Sequence, residues 1–187
     1  LYSSGFAWTT AGTPANVILQ YRLDGGSWTA IPGAESGGQT NASGIIVGAN
    51  PGSIDWTTPS AKATTTEVRI SATDGSIPDA DTTTTSSSFK LSAKVTVITP
   101  NAENAPFWKV GEQQTITWST VPASLGNNVV DVLFSTAGLA GTFSTVVGGD
   151  DTINNGSLLW TIPDNVSDDV YIRVVDSNDS DGKDESD

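Results

Sequence analysis

The side chains best placed to do chemistry are carboxylates gathered near one end of the sequence. Asp176, Asp179, Asp181, Asp184, Glu185 and Asp187 fall within twelve residues, with Asp164, Asp168 and Asp169 just upstream. Hard oxygen donors at short spacing are what Ca2+ takes, roughly six to eight at a time. The run Asp176-x-x-Asp179-x-Asp181-Gly182 resembles a calcium loop, so Asp176, Asp179, Asp181 and Asp184 are candidate calcium ligands. It lacks the Asp-x-Asp-x-Asp-Gly register and a fixed distal Glu. A solvated acidic loop that keeps the chain soluble is the competing reading. Asp74, Asp79 and Asp81 form a thinner acidic stretch at the matching place earlier in the chain.

Other chemistry has little to draw on. The sequence contains no His and no Cys. His-based triads, Cys/His pairs and zinc sites of His and Cys are thereby excluded. A glycosidase needs two carboxylates held across a cleft, and the acids here fall mostly in loops. A phosphate-cradling P-loop is absent. These features read as a protein that is not an enzyme. Four Asn-x-Ser triplets, at Asn41, Asn155, Asn165 and Asn178, permit N-glycosylation, and residues 82–88 are an unbroken hydroxyl run. Trp8, Trp56, Trp118 and Trp160 recur at matched positions and read as core plugs, since Trp buries a large area. Trp28, Trp108 and Tyr21 are the candidates for a flat sugar platform. Arg69 and Arg173 are also matched, with Asp55 and Asp131 as their expected ion-pair partners.

The elements that must position these residues read as β throughout. The apolar share is 36%, and Thr, Ser, Gly, Asn and Asp fill the gap, which favours turns and strands over helix. The net charge is −13, split as −2 over residues 1–94 and −11 over 95–187. Such a balance argues against nucleic acid, which needs a basic patch, and against docking on anionic lipid. No apolar run approaches the length of a membrane span, so direct membrane insertion is not expected. The lack of Cys leaves each module to stand on its core alone.

An internal repeat organises the chain. Gly52-Ser53-Ile54-Asp55-Trp56-Thr57-Thr58-Pro59 reads like Gly156-Ser157-Leu158-Leu159-Trp160-Thr161-Ile162-Pro163 at an offset of 104, and Val68-Arg69-Ile70 matches Ile172-Arg173-Val174 at the same offset. Phe6-Ala7-Trp8-Thr9-Thr10 matches Ile116-Thr117-Trp118-Ser119-Thr120 at 110, which places six extra residues of the first copy in the Gly/Ser/Asn-rich stretch 35–50. Period-two alternation and β-branched runs predict strands at 4–9, 16–23, 28–31, 53–58, 67–72 and 87–91 in the first copy. The second copy gives 95–98, 113–119, 129–135, 143–147, 157–162 and 170–176. Turn residues such as Asp24-Gly25-Gly26 and Asn154-Asn155-Gly156 separate them. The fold class expected is all-β, as two tandem immunoglobulin-like β-sandwich modules. Residues 1–93 form the first, with its first strand missing; residues 94–187 form the second, with its last strand missing.

The second copy carries Ile98-Thr99-Pro100, Trp108, Gly111, Thr115-Ile116-Thr117-Trp118, the Trp160-Thr161-Ile162-Pro163 segment and Tyr171-Ile172-Arg173-Val174. This pattern resembles the Ig-like domain of Ser/Thr-rich, GPI-anchored yeast cell-wall proteins, related modules of which recur in large prokaryotic surface proteins. The resemblance implies a β-sandwich, an extracellular or cell-surface location and a structural role, and it transfers no catalytic residue. The expected partners are copies of the chain or flanking Ig-like modules, with cell-wall glycan as the ligand of a rival adhesive reading. Calcium is the one cofactor the residues suggest.

Overall fold

The computed structural model describes residues 3–9, 16–31, 39–40, 45–47, 53–73, 78–101 and 107–186. All regular structure among them is β-strand. The chain divides into two compact units, Leu1–Leu91 and Ser92–Asp187.

In the first unit β1 (Ser3–Ala7) pairs with β6 (Ser53–Thr57) in a two-stranded sheet. A larger sheet runs β4 (Gln39–Thr40), β5 (Ile45–Val47), β2 (Asn16–Leu23), β7 (Ala63–Thr73) and β8 (Pro78–Thr85). Two short strands, β3 (Thr29–Ala30) and β9 (Phe89–Leu91), attach to β2 and β7. The core gathers Val17, Leu19, Ile31, Ile54, Trp56 and Val68. Val17 and Leu19 are two apart on β2, so alternation turns both inward.

The second unit has a three-stranded sheet of β10 (Lys94–Thr99), β11 (Gln113–Val121) and β15 (Ser157–Thr161). A five-stranded sheet runs β13 (Ser144–Thr145), β12 (Val129–Ser135), β16 (Tyr171–Asp176) and β17 (Asp179–Glu185), with β14 (Thr152–Ile153) on β12. One core cluster draws on both sheets: Val95, Val97, Ile116, Trp118 and Trp160 from the first, Val130, Val132, Ile172 and Val174 from the second. The packing is sandwich-like. Each such buried side chain contributes roughly 1.5–3 kcal/mol relative to exposure.

The two units match at several positions. Gly5 faces Asp55 in β1–β6, and Thr115 faces Leu159 in β11–β15, which are the same positions at offsets of 110 and 104. Tyr21 meets Trp56 with ring centroids 5.2 Å apart and Phe134 meets Trp160 at the same 5.2 Å. The Ser86 hydroxyl accepts the Val68 N–H at 3.0 Å, and the Ser186 hydroxyl accepts the Ile172 N–H at 3.0 Å. These matches equate β1 with β11, β2 with β12, β3 with β13, β6 with β15, β7 with β16 and β8 with β17. β11 is flanked by β10 and β15, whereas β1 pairs with β6 alone among the described residues.

Every strand expected from alternation meets a strand of the structure. The acidic stretch expected as a loop does not stay a loop: residues 179–185 form β17, antiparallel to β16. So does Pro78–Thr85, which pairs with β7. Neither strand alternates apolar and polar residues, and the partner strand supplies the register instead. β17 lies at one edge of the second unit's larger sheet, beside β16, and β4, β5 and β9 of the first unit have no counterpart among the strands equated above. Of the 35–50 stretch, only β4 and β5 fall among the described residues.

Candidate functional site

A pocket of about 650 Å3 opens at one end of the second unit's core. Its floor is aromatic, because β12 and β15 end there and aim Phe134 and Trp160 at each other. Trp108, on the segment leading into β11, stands edge-on to Trp160 at 6.1 Å and 69°. Phe107 is wholly exposed and Val166 is 89% exposed at the rim. Asn101, Lys109, Asn165 and Asp168 supply amide and charged groups around it. An apolar floor with a few polar groups above it is the usual form of a small-molecule site. Aromatic faces and rim amides suit a sugar ring, whose C–H face is apolar and whose hydroxyls need partners.

A second arrangement occurs in both units. On the outer face of the larger sheet, Arg173 of β16 lies over Phe143, its guanidinium carbon 3.7 Å from the ring centroid. Glu185, directly opposite on β17, accepts its Nε–H at 2.8 Å. In the first unit Arg69 of β7 lies over Trp28 at 4.3 Å. Thr29 faces Tyr21 as Ser144 faces Phe134, so Trp28 and Phe143 hold the same place in the repeat. Here, however, Arg69 donates from Nε and Nη2 to the neutral Oε1 of Gln20, at 2.8 and 2.6 Å. A second cation, Arg22, also lies on Trp28, at 4.6 Å, and forms a 2.6 Å ion pair with Glu67. The Glu67 hydrogen bond raises the Arg22 pKa and the same bond lowers that of Glu67. Burial first, and the charge of Arg22 second, lower the pKa of Arg69. Arg69 still remains protonated, since guanidinium does not lose its proton in proteins.

The residues singled out from sequence are distributed as follows. Trp56, Trp118 and Trp160 are buried and Trp8 is half-buried against the first core. Tyr21 and Trp28 are not open platforms, because Tyr21 packs on Trp56 and Trp28 carries two guanidinium groups. Asp131 is not the partner of Arg173. It faces Val175, two residues away on the paired strand, and accepts the Asp151 N–H and the Ser177 hydroxyl. The side chain of Asp55 lies outside the described residues.

Asp176 and Asp179 are buried and Asp181 is exposed. Asp176 accepts the Asn178 N–H and Asp179 the Asp181 N–H, which ties down the β16–β17 turn. Asp184 accepts the Val97 N–H at 2.8 Å and so joins β17 to β10. Among the described residues no group of three or more acidic side chains is placed to hold a metal ion. Asn155, Asn165 and Asn178 are exposed, and Asn41 lies outside the described residues. Sequence reasoning missed Phe134 and Phe143, and it placed Glu185 in the acidic run without pairing it to Arg173. These three stand 113, 115 and 100 residues after Tyr21, Trp28 and Thr85, so the 104-residue offset legible in the sequence does not reach them. Comparison with protein-family models, with curated proteins and with solved structures gives no match.

Proposed function

We propose that this chain is a non-catalytic structural repeat: two tandem Ig-like β-sandwich modules of an extracellular surface protein, built into a fibre, a surface layer or a stalk. The observation that carries the reading is the recurrence of the same registers, the same aromatic pair and the same Ser-to-backbone bond in both units. Duplicated packing of this kind serves reach and surface, because each module needs a core and no module needs a reactive group. The Ser/Thr/Asn/Gly-rich composition and strong negative charge fit an extracellular setting. Electron microscopy of the native surface material tests the reading. Fibres, sheets or strings with a spacing of one or two module lengths are the expected result. Compact, non-periodic particles would overturn it.

The aromatic pocket favours a second reading, a carbohydrate-binding or adhesive module. Cell-wall polysaccharide would then quench Trp fluorescence, and Trp108→Ala would abolish the quenching. A chain whose emission is unchanged by every cell-wall glycan tried is not an adhesin of this type.

A further inference from the structure

We propose that Arg69, lying on Trp28, is an intermolecular carboxylate site that takes the acidic 164–169 segment of a second copy and joins copies head to tail. This rests on the reading of the chain as a structural repeat and names the contact between its copies. The argument is an internal comparison. In the second unit the same arginine, Arg173, lies on an aromatic ring and has a carboxylate directly across the strand pair, Glu185. In the first unit the residue directly across from Arg69 is Thr85. Ser86 and Ser186, the next residues, make the same bond in each unit, so Thr85 stands where Glu185 stands. Among the described residues, the guanidinium of Arg69 has an aromatic ring and a neutral amide but no carboxylate. Arg22, beside it on Trp28, adds a second positive charge that Glu67 offsets once. The first unit thus holds a pre-oriented cation where its twin holds an ion pair.

Charge complementarity selects the occupant. Residues 95–187 carry −11, and the positive charge they would meet is local, Arg69 and Arg22 on Trp28, since residues 1–94 are themselves net −2. The 164–169 segment, joining β15 to β16, exposes Asp164, Asp168 and Asp169 and contains no basic residue. Val166 between them is 89% exposed, so the segment stands out from the surface. A guanidinium on an aromatic ring is suited to a carboxylate brought in by a short turn, because its planar fork is already fixed. Acceptor and donor sit on different units, so the contact is heterologous and propagates into a chain of molecules.

Sedimentation velocity of the full chain over a concentration series, with melting curves alongside, tests this. The wild type should grow in mass with concentration and shrink again as NaCl screens the contact. Thr85→Glu restores the carboxylate that the second unit has. It should satisfy Arg69 within its own chain, leave the melting temperature unchanged or higher, and weaken association by about tenfold or more. Asp164→Asn/Asp168→Asn/Asp169→Asn, which leaves the first unit untouched, should weaken it to a similar degree. Association of either variant at wild-type strength overturns the proposal while the assembly reading stands. A wild type that stays monomeric throughout overturns the proposal and leaves only the stalk form of that reading.

Discussion

Asn154 offers the sharpest test of how the second unit is held together. Its Oδ1 accepts the indole N–H of Trp118 at 2.8 Å. Its Nδ2 donates to the Thr120 hydroxyl at 2.8 Å and to the Ala123 carbonyl at 3.1 Å. Trp118 is only 3% exposed, so Asn154→Ala leaves a buried N–H without a partner, at a cost of about 1–3 kcal/mol. The two Nδ2 bonds are part-exposed and water replaces them in part, which adds about 1 kcal/mol. The sum is about 2–4 kcal/mol. For a unit of this size each kcal/mol moves the midpoint by roughly 4–8 °C, so the second unit's transition should fall by about 8–32 °C. Calorimetry of the full chain reads this directly, because each unit has its own core and the first unit's transition should not move. Trp118→Phe removes the N–H, and in that background Asn154→Ala should cost only the Nδ2 bonds. A coupling below about 0.5 kcal/mol in this cycle, within the range of plain additivity, would refute the assignment of Asn154 as the indole's partner.

Three further outcomes follow from single observations. Thr66 is fully buried and its hydroxyl has no partner among the described residues, so Thr66→Val should stabilise the first unit by about 1–2 kcal/mol in urea unfolding. A Cβ added at Gly149 would lie 2.5 Å from the Val132 carbonyl oxygen. That oxygen belongs to the backbone of β12 and cannot rotate away, so Gly149→Ala should destabilise the second unit by about 1–3 kcal/mol. In the first unit the carboxyl of Asp24 is held below its ordinary pKa, chiefly by the Thr64 hydroxyl and then by the Thr65 N–H, and that of Glu67 by Arg22. Depressed carboxylate values mean stability that is present above the unfolded carboxylate range and lost as pH falls through the folded values. The first unit's melting temperature should therefore drop below about pH 4, and Asp24→Asn should flatten that acid limb.

The strands with alternation were legible because a buried face leaves a period of two in the residues themselves. Val95 and Val97, or Val130 and Val132, announce their strands without any knowledge of their neighbours. β8 and β17 leave no such mark. Apart from Pro78 and Ala80, Pro78–Thr85 and Asp179–Glu185 are made of Asp, Thr, Ser, Gly, Lys and Glu, and they are strands because β7 and β16 offer a ladder to pair with. The partner of Arg173 was missed for the same reason. A cross-strand ion pair is set by register, and the register of β17 depends on a strand that composition does not reveal. The pocket was only half legible: Trp108 stood out, but its floor is Phe134 and Trp160, which meet only when β12 and β15 end at the same place.

Where the two units match position for position, their differences are more informative than either unit alone. Positions that agree, such as Tyr21 with Phe134 or Ser86 with Ser186, serve the shared core and closing strand, where a change would disturb packing in either copy. Positions that disagree on the outer sheet face are free of that demand. Arg22 and Glu67 stand opposite each other where the second unit has Ser135 and Tyr171, and Thr85 stands where it has Glu185. Together these changes gather positive charge on Trp28 and withdraw the carboxylate from Arg69, within a sheet whose backbone pairing is preserved. A guanidinium held by a neutral amide, at a site where the second unit keeps an ion pair, gains once a carboxylate arrives. The outer face of the first unit is therefore the place to look for what this chain meets.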